Sequence, residues 1–129
     1  MSKFESIVEE AQEILLFAFD ELKEAKKEQD EMTARQAAEK GYLALVKAFN
    51  ALFVKKGKKI EELPLSERGR RFFIHKLAGR KEEKFYDSMR HSLHIDGFHE
   101  GIIMFDSLED DLNDIERFIL GLENGNEGV

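Results

Sequence analysis

A chain of 129 residues, 42% of them hydrophobic, is long enough to bury a core of its own as one domain, and the absence of cysteine excludes disulfides and thiolate chemistry together. Any zinc site would have to be built from histidine and carboxylate. The net charge of −7 argues against a dedicated nucleic-acid binder, but it averages over an uneven distribution: −4 over residues 1–54, +6 over 55–84 and −9 over 85–129. The basic middle and the acidic tail either attract one another within the molecule or leave the middle as a site for phosphate or RNA. The opening MSKFESIVEEAQ carries glutamates where a signal peptide has a basic and then an apolar run. No apolar stretch approaches the ~20 residues needed to span a bilayer, so a cytoplasmic protein with no membrane partner is expected.

In chain order, Phe4, Ile7, Val8, Ala11, Ile14, Leu15, Ala18, Leu22 and Ala25 are spaced three and four apart with Glu or Lys between them, which predicts a first amphipathic helix over 3–29. Residues 14–19 are apolar on every side, so this stretch is expected to face a second surface besides its own core, such as a partner chain. Residues 29–31 are a connection short enough to make the next helix an antiparallel neighbour.

The second helix is the central element. Thr33 and Gln36 have the spacing of a capping box, and Lys55, Lys56 and Gly57 form a stop signal, framing a helix between them. Ala38, Tyr42, Leu45, Phe49 and Leu52 make one stripe, and Ala37, Gly41, Ala44, Ala48 and Ala51 make another beside it, where a neighbouring helix can come close. Gln36, Lys40, Lys47 and Asn50 remain as a polar face with Leu43 and Val54 among them, a second reason to expect a homo-oligomer.

After Gly57 the stretch around Pro64 reads as a loop tacked to the core by Ile60, Leu63 and Leu65. Ser66 is the expected N-cap of a short third helix carrying Phe72, Phe73, Ile74 and Leu77. A fourth helix is expected from about Glu82 to His94, burying Phe85, Met89 and Leu93, with Gly97 breaking or bending it. Phe105, Leu108, Leu112, Ile115, Ile119 and Leu122 predict a fifth helix. Its start is either at a Ser107–Asp110 cap or further back, since Phe98 and Ile102 keep the same spacing. Residues 123–129 read as a frayed tail.

The runs RQAAEKGYLALVKAFNAL (residues 35–52) and LHIDGFHEG (residues 93–101) resemble the archaeal PaREP family, small all-helical proteins related to the HEPN and nucleotidyltransferase substrate-binding bundles. The resemblance implies an all-α fold, an up-and-down four-helix bundle with an additional short helix, commonly dimeric. HEPN ribonucleases carry an Arg, four to six residues, then a His, and the pair meets its symmetry mate to cut RNA without metal. Arg70 and His75 have that spacing, as do Arg68 and His75, a guanidinium to stabilise the phosphate and an imidazole to move the proton of the 2′-hydroxyl. The motif departs from that pattern in the residue after the arginine, Arg71 or Gly69, and in lying on the short third helix.

Two further groups carry chemistry. Arg90, His91, His94, Asp96, His99 and Glu100 bring three of the four histidines within nine residues. They could hold a metal through His91, His94 and His99, or serve as helix-end capping and a buried His–Asp hydrogen bond at the Gly97 bend. The basic group around Arg68, Arg70, Arg71, His75 and Arg80 is interleaved with Phe72, Phe73, Phe85 and Tyr86, a pattern that suits a nucleotide or single-stranded RNA and equally suits core aromatics beneath a solvated helix. No glycine-rich phosphate loop or nucleophile elbow appears. The expected function is a homo-oligomeric binding or interaction module with no cofactor, with nucleotide or RNA contact through 55–84. The alternative is a metal-independent ribonuclease using Arg70 and His75; no residue is assigned to catalysis.

Overall fold

Five α-helices follow one another in the computed structural model, which describes residues 1–99, 101 and 104–125. They are α1 (Lys3–Glu28), α2 (Glu31–Lys55), α3 (Glu67–Leu77), α4 (Arg80–Met89) and α5 (Phe105–Glu123), with a 3₁₀ turn at Ile60–Glu62 and a π-helix, Arg90–His99, prolonging α4. Among the described residues there is no strand, so the all-helical expectation holds.

Helix α1 opens with a capping box in which Ser2 Oγ accepts from Glu5 N and the Glu5 carboxylate accepts from Ser2 N. Between α1 and α2 lie only Gln29, in the left-handed region at φ 54°, and Asp30. The capping box expected at Thr33 does not form. Asp30 caps α2 three residues earlier, accepting from Met32 N at 3.0 Å, and Thr33 Oγ1 donates to the same carboxylate at 2.7 Å. The carboxylate, the stronger acceptor for the free N–H groups and for the positive end of the helix, displaces the hydroxyl from that role. At the other end Gly57 takes φ 104°, the left-handed stop its position called for.

Both stripes of α2 are buried, the large side chains and the small ones alike. Helix α1 packs along one side with Val8, Ala11, Leu15, Ala18 and Leu22, and α5 and the π-helix close the other. A Cβ on Gly41 would come within 2.6 Å of Leu112 Cδ2 and 3.5 Å of Leu93 Cδ1, so the small stripe is what lets α5 and the π-helix approach. Phe49 stacks on Phe118 at 4.8 Å and meets Tyr86 edge-on at 5.2 Å. Each such buried side chain contributes roughly 1.5–3 kcal/mol through removal from water.

Several expectations are corrected. Leu63 packs on the core, but Ile60, in the 3₁₀ turn, and Leu65, beyond it, are exposed. Helix α4 begins at Arg80. Gly97 does not break the helical run; it lies buried inside the π-helix, where a Cβ would come within 3.0 Å of Ala38 Cβ on α2. Helix α5 starts at Phe105, without a side-chain cap, so neither the Ser107–Asp110 box nor a run continuous from Phe98 forms. Ile102 and residues 126–129 lie outside the described residues. Within 14–19, Leu15 and Ala18 are buried, Ile14 and Phe19 half-buried, and Leu16 and Phe17 exposed.

Candidate functional site

Helix α3 has two chemically distinct sides, each set by its 3.6-residue repeat. Arg68, Arg71, Phe72, His75 and Lys76 are spaced three and four apart and share one side, and all five are exposed. Phe72 is 57% exposed, with Lys76 Nζ 5.7 Å from its ring centre. Arg71 lies 3.7 Å from Asp87 of α4, His75 Nδ1 is 2.9 Å from Glu83 Oε2, and Arg80 donates to Glu83 Oε1 at 3.3 Å. The His75 hydrogen bond, with the Arg80 charge beside it, holds the Glu83 carboxyl below the usual carboxylate range. Arg80, Lys81 and Lys84 extend the cationic surface onto exposed positions of α4.

The other side of α3 faces inward through Glu67, Arg70 and Ile74. Ser66 Oγ caps the helix by accepting from Gly69 N at 3.0 Å, and this fixes Glu67 in the first turn. The Glu67 carboxylate accepts from Tyr42 Oη at 2.6 Å, from Tyr86 Oη at 2.6 and 3.0 Å, and from Arg70 at 3.0 Å. The two phenol oxygens are 3.1 Å apart. Arg90 Nε lies 3.4 Å from Glu67 Oε1 without the alignment to donate to it, and Arg70 Nε is buried without a hydrogen-bond partner. One carboxylate thus ties α3 to α2, α4 and the π-helix. Burial first, and the hydrogen bond to Glu67 second, push the Tyr86 hydroxyl far above the ordinary phenol range and raise Tyr42 as well.

A third group adjoins this network. The His94 ring stacks on Tyr42 with centroids 4.5 Å apart, and its Nδ1 is 2.8 Å from Glu39 Oε1. Arg35 donates to the Phe98 carbonyl through Nε at 3.1 Å and through a terminal nitrogen at 2.7 Å. The buried His–Asp bond expected at Gly97 is therefore replaced: His94 pairs with a glutamate of α2, while His91 and Asp96, 3.4 Å apart, are a surface pair. The π-helix accounts for the change, since its wider turn alters which residues of 90–99 share a side.

Arg68, Arg71, His75 and Arg80 therefore lie together on the outer surface. Arg70 does not join them. Five residues separate it from His75, about 140° around an α-helix, and its side chain is only 12% exposed. Of the metal candidates, His91 and His94 turn to different carboxylates, and the His99 side chain and Glu100 lie outside the described residues. Among the described residues no group of three or more His, Asp or Glu could hold a metal ion. Glu67, Tyr42 and Glu39 were not among the sequence-derived site residues, and Tyr86 was read only as an aromatic beside the basic group. The signal for them was present: a tyrosine on an apolar stripe needs a partner for its hydroxyl, and both of this chain's tyrosines occupy such stripes.

The model of the archaeal PaREP1/PaREP8 family matches residues 13–119. The chain belongs to this family. The PaREP1/PaREP8 match takes in the whole of α2, α3 and α4, and with them both sides of α3 and the Glu67 network. No curated protein and no solved structure matches the chain. No helix among the described residues of this PaREP1/PaREP8 protein is long and apolar enough to cross a membrane.

Proposed function

We propose that this chain is a self-associating, HEPN-like helical-bundle module of the cytoplasm, a single domain. It takes a phosphate-bearing ligand, single-stranded RNA or a nucleotide, on the outer side of α3. The observation that carries this reading is the position of Phe72, an exposed aromatic ring standing among Arg68, Arg71, His75 and Lys76. Cations spaced along one helix side neutralise successive phosphates, and an exposed ring offers a base a surface for stacking. Arg70 supports this from inside, since its bond to Glu67 within α3 orients the carboxylate that accepts from Tyr42 and Tyr86. The −9 of residues 85–129 opposes long-range attraction of an anion, so binding rests on local contacts.

Titration of a labelled single-stranded RNA at low salt tests the reading. Affinity should fall as salt rises, by about 0.7 in the logarithmic slope for each phosphate contacted. Phe72→Ala should weaken binding by roughly 5- to 100-fold, the range of one lost base stack, and joint Arg68→Ala and Arg71→Ala should flatten the salt dependence. Absence of binding by the unaltered protein at low salt would leave the basic segment as a partner for the protein's own acidic surface. A metal-independent ribonuclease using Arg70 and His75 would need both groups at one phosphate, and within one copy they leave α3 on different sides. RNA cleavage without metal, abolished by His75→Ala, would put that reading in place of the binding module.

A further inference from the structure

An exposed apolar patch interrupts the α1–α2 hairpin. Glu10, Ile14, Phe17 and Glu21 form a stripe on α1, with steps of four, three and four; Lys40, Leu43 and Lys47 form the matching stripe on α2. Two ion pairs pin the stripes side by side, Glu10 to Lys47 at 3.1 Å and Glu21 to Lys40. Between them stand Phe17, 61% exposed, Leu43, 46% exposed, and the half-buried Ile14. The arrangement is an apolar centre with a charged rim at both ends, the anatomy of a protein interface. The charges are also sorted: both carboxylates are on α1 and both ammonium groups are on α2.

We infer that this face is covered by a second copy of the same chain, related by a two-fold axis running parallel to the two helices, so that α1 of each copy packs on α2 of the other. The inference rests on the self-association reading above and adds which surface is used and in what orientation. An isologous contact between two such faces has two simple arrangements. With the axis parallel to the helices, like ends meet and the columns exchange: each Glu10 faces the other copy's Lys47, each Glu21 the other copy's Lys40, and Phe17 faces Leu43. With the axis across the helices, Glu10 would face Glu21 and Lys40 would face Lys47, like charge on like charge at both ends. Charge complementarity selects the first. The groove between α1 and α5, where Leu16 and Leu120 are exposed, is the competing apolar surface. The residues lining it include one carboxylate, Glu116, and no cation, so a second copy finds no charge there to pair with.

The test combines light scattering with native mass spectrometry of mixed samples. The unaltered protein should have a dimer mass at micromolar concentration, and Phe17→Asp with Leu43→Asp should halve it while leaving the helical circular dichroism unchanged. A fourfold variant (Glu10→Lys, Glu21→Lys, Lys40→Glu, Lys47→Glu) keeps every ion pair within one copy and should still dimerise with itself. Mixed with the unaltered protein, it should form mixed dimers far below the statistical proportion. Preferential mixed dimers would establish the other axis and overturn the proposed orientation. A dimer that survives Phe17→Asp with Leu43→Asp, or dissociates with Leu16→Asp and Leu120→Asp, would overturn the proposed surface. A monomer mass for the unaltered protein would sink the self-association reading itself.

Discussion

Helices α2 and α3 are attached to the rest of the molecule by different physics. Helix α2 is buried along both of its stripes and is held chiefly by apolar packing, with Gly41 against Leu112 of α5 and Leu93 of the π-helix and Phe49 against Phe118 of α5. Helix α3 fully buries a single residue, Ile74, and is tied down by the Glu67 carboxylate with its two phenols and the Arg70 guanidinium. Apolar packing tolerates little change of shape, whereas a buried polar network tolerates little change of charge or hydrogen-bonding capacity. The element with the outward cationic side is thus held by the arrangement that a single lost partner disrupts most.

Breaking the polar attachment should have the largest effect. Glu67→Ala leaves two phenol hydroxyls and the Arg70 guanidinium without their acceptor and removes the charge facing Arg90, and should cost about 2–4 kcal/mol, the full cost of a buried charge pair being reduced because Glu67 is partly exposed. Hydrogen exchange checks where the loss falls. Amides of α3 and α4 should exchange faster while those of α2 keep their protection, and uniform acceleration would mean that the two attachments are not separable.

Breaking the apolar attachment should come next. Gly41→Leu forces a side chain where the Cβ alone would lie 2.6 Å from Leu112 Cδ2 and should cost about 1–3 kcal/mol, read as a lower Tm. In contrast to Glu67→Ala, protection should fall in α2 and α5. An unchanged Tm would refute the close approach of α5.

The smallest effect sharpens the contrast without any substitution. The chain has two tyrosines and no tryptophan, and both tyrosines belong to the network, so tyrosine absorbance reports on that region alone. Both hydroxyls are raised above their ordinary value of 10 by burial and by Glu67. A raised folded-state pKa means that the folded state holds its protons longer, so the stabilisation is complete below pH 10 and is lost as pH rises beyond it. Titration should show little tyrosinate at pH 10 in the folded protein, then ionisation together with unfolding. Ordinary titration near pH 10 with the fold intact would show the hydroxyls to be in water.

Residue spacing alone makes the chain all-helical, puts α2 at its centre and picks out the core residues of α1, α2 and α5, because these depend on the 3.6-residue recurrence of apolar side chains along one segment at a time. The Ser66 cap and the Gly57 stop were legible for the same reason: a helix end is satisfied by its own neighbours in the chain. Which acceptor caps α2 was decided by competition between Asp30 and Thr33, and the continuation through Gly97 by close packing on Ala38. Only the tertiary structure turned Arg70 inward and left Arg68, Arg71 and His75 outside. It alone brought Glu67 to Tyr42 and Tyr86, 25 and 19 residues away, and Glu39 to His94 across 55. Periodicity records which side of a helix is apolar. It does not record which polar atom of another helix will face it, because that depends on how the helices are docked rather than on any spacing within one of them.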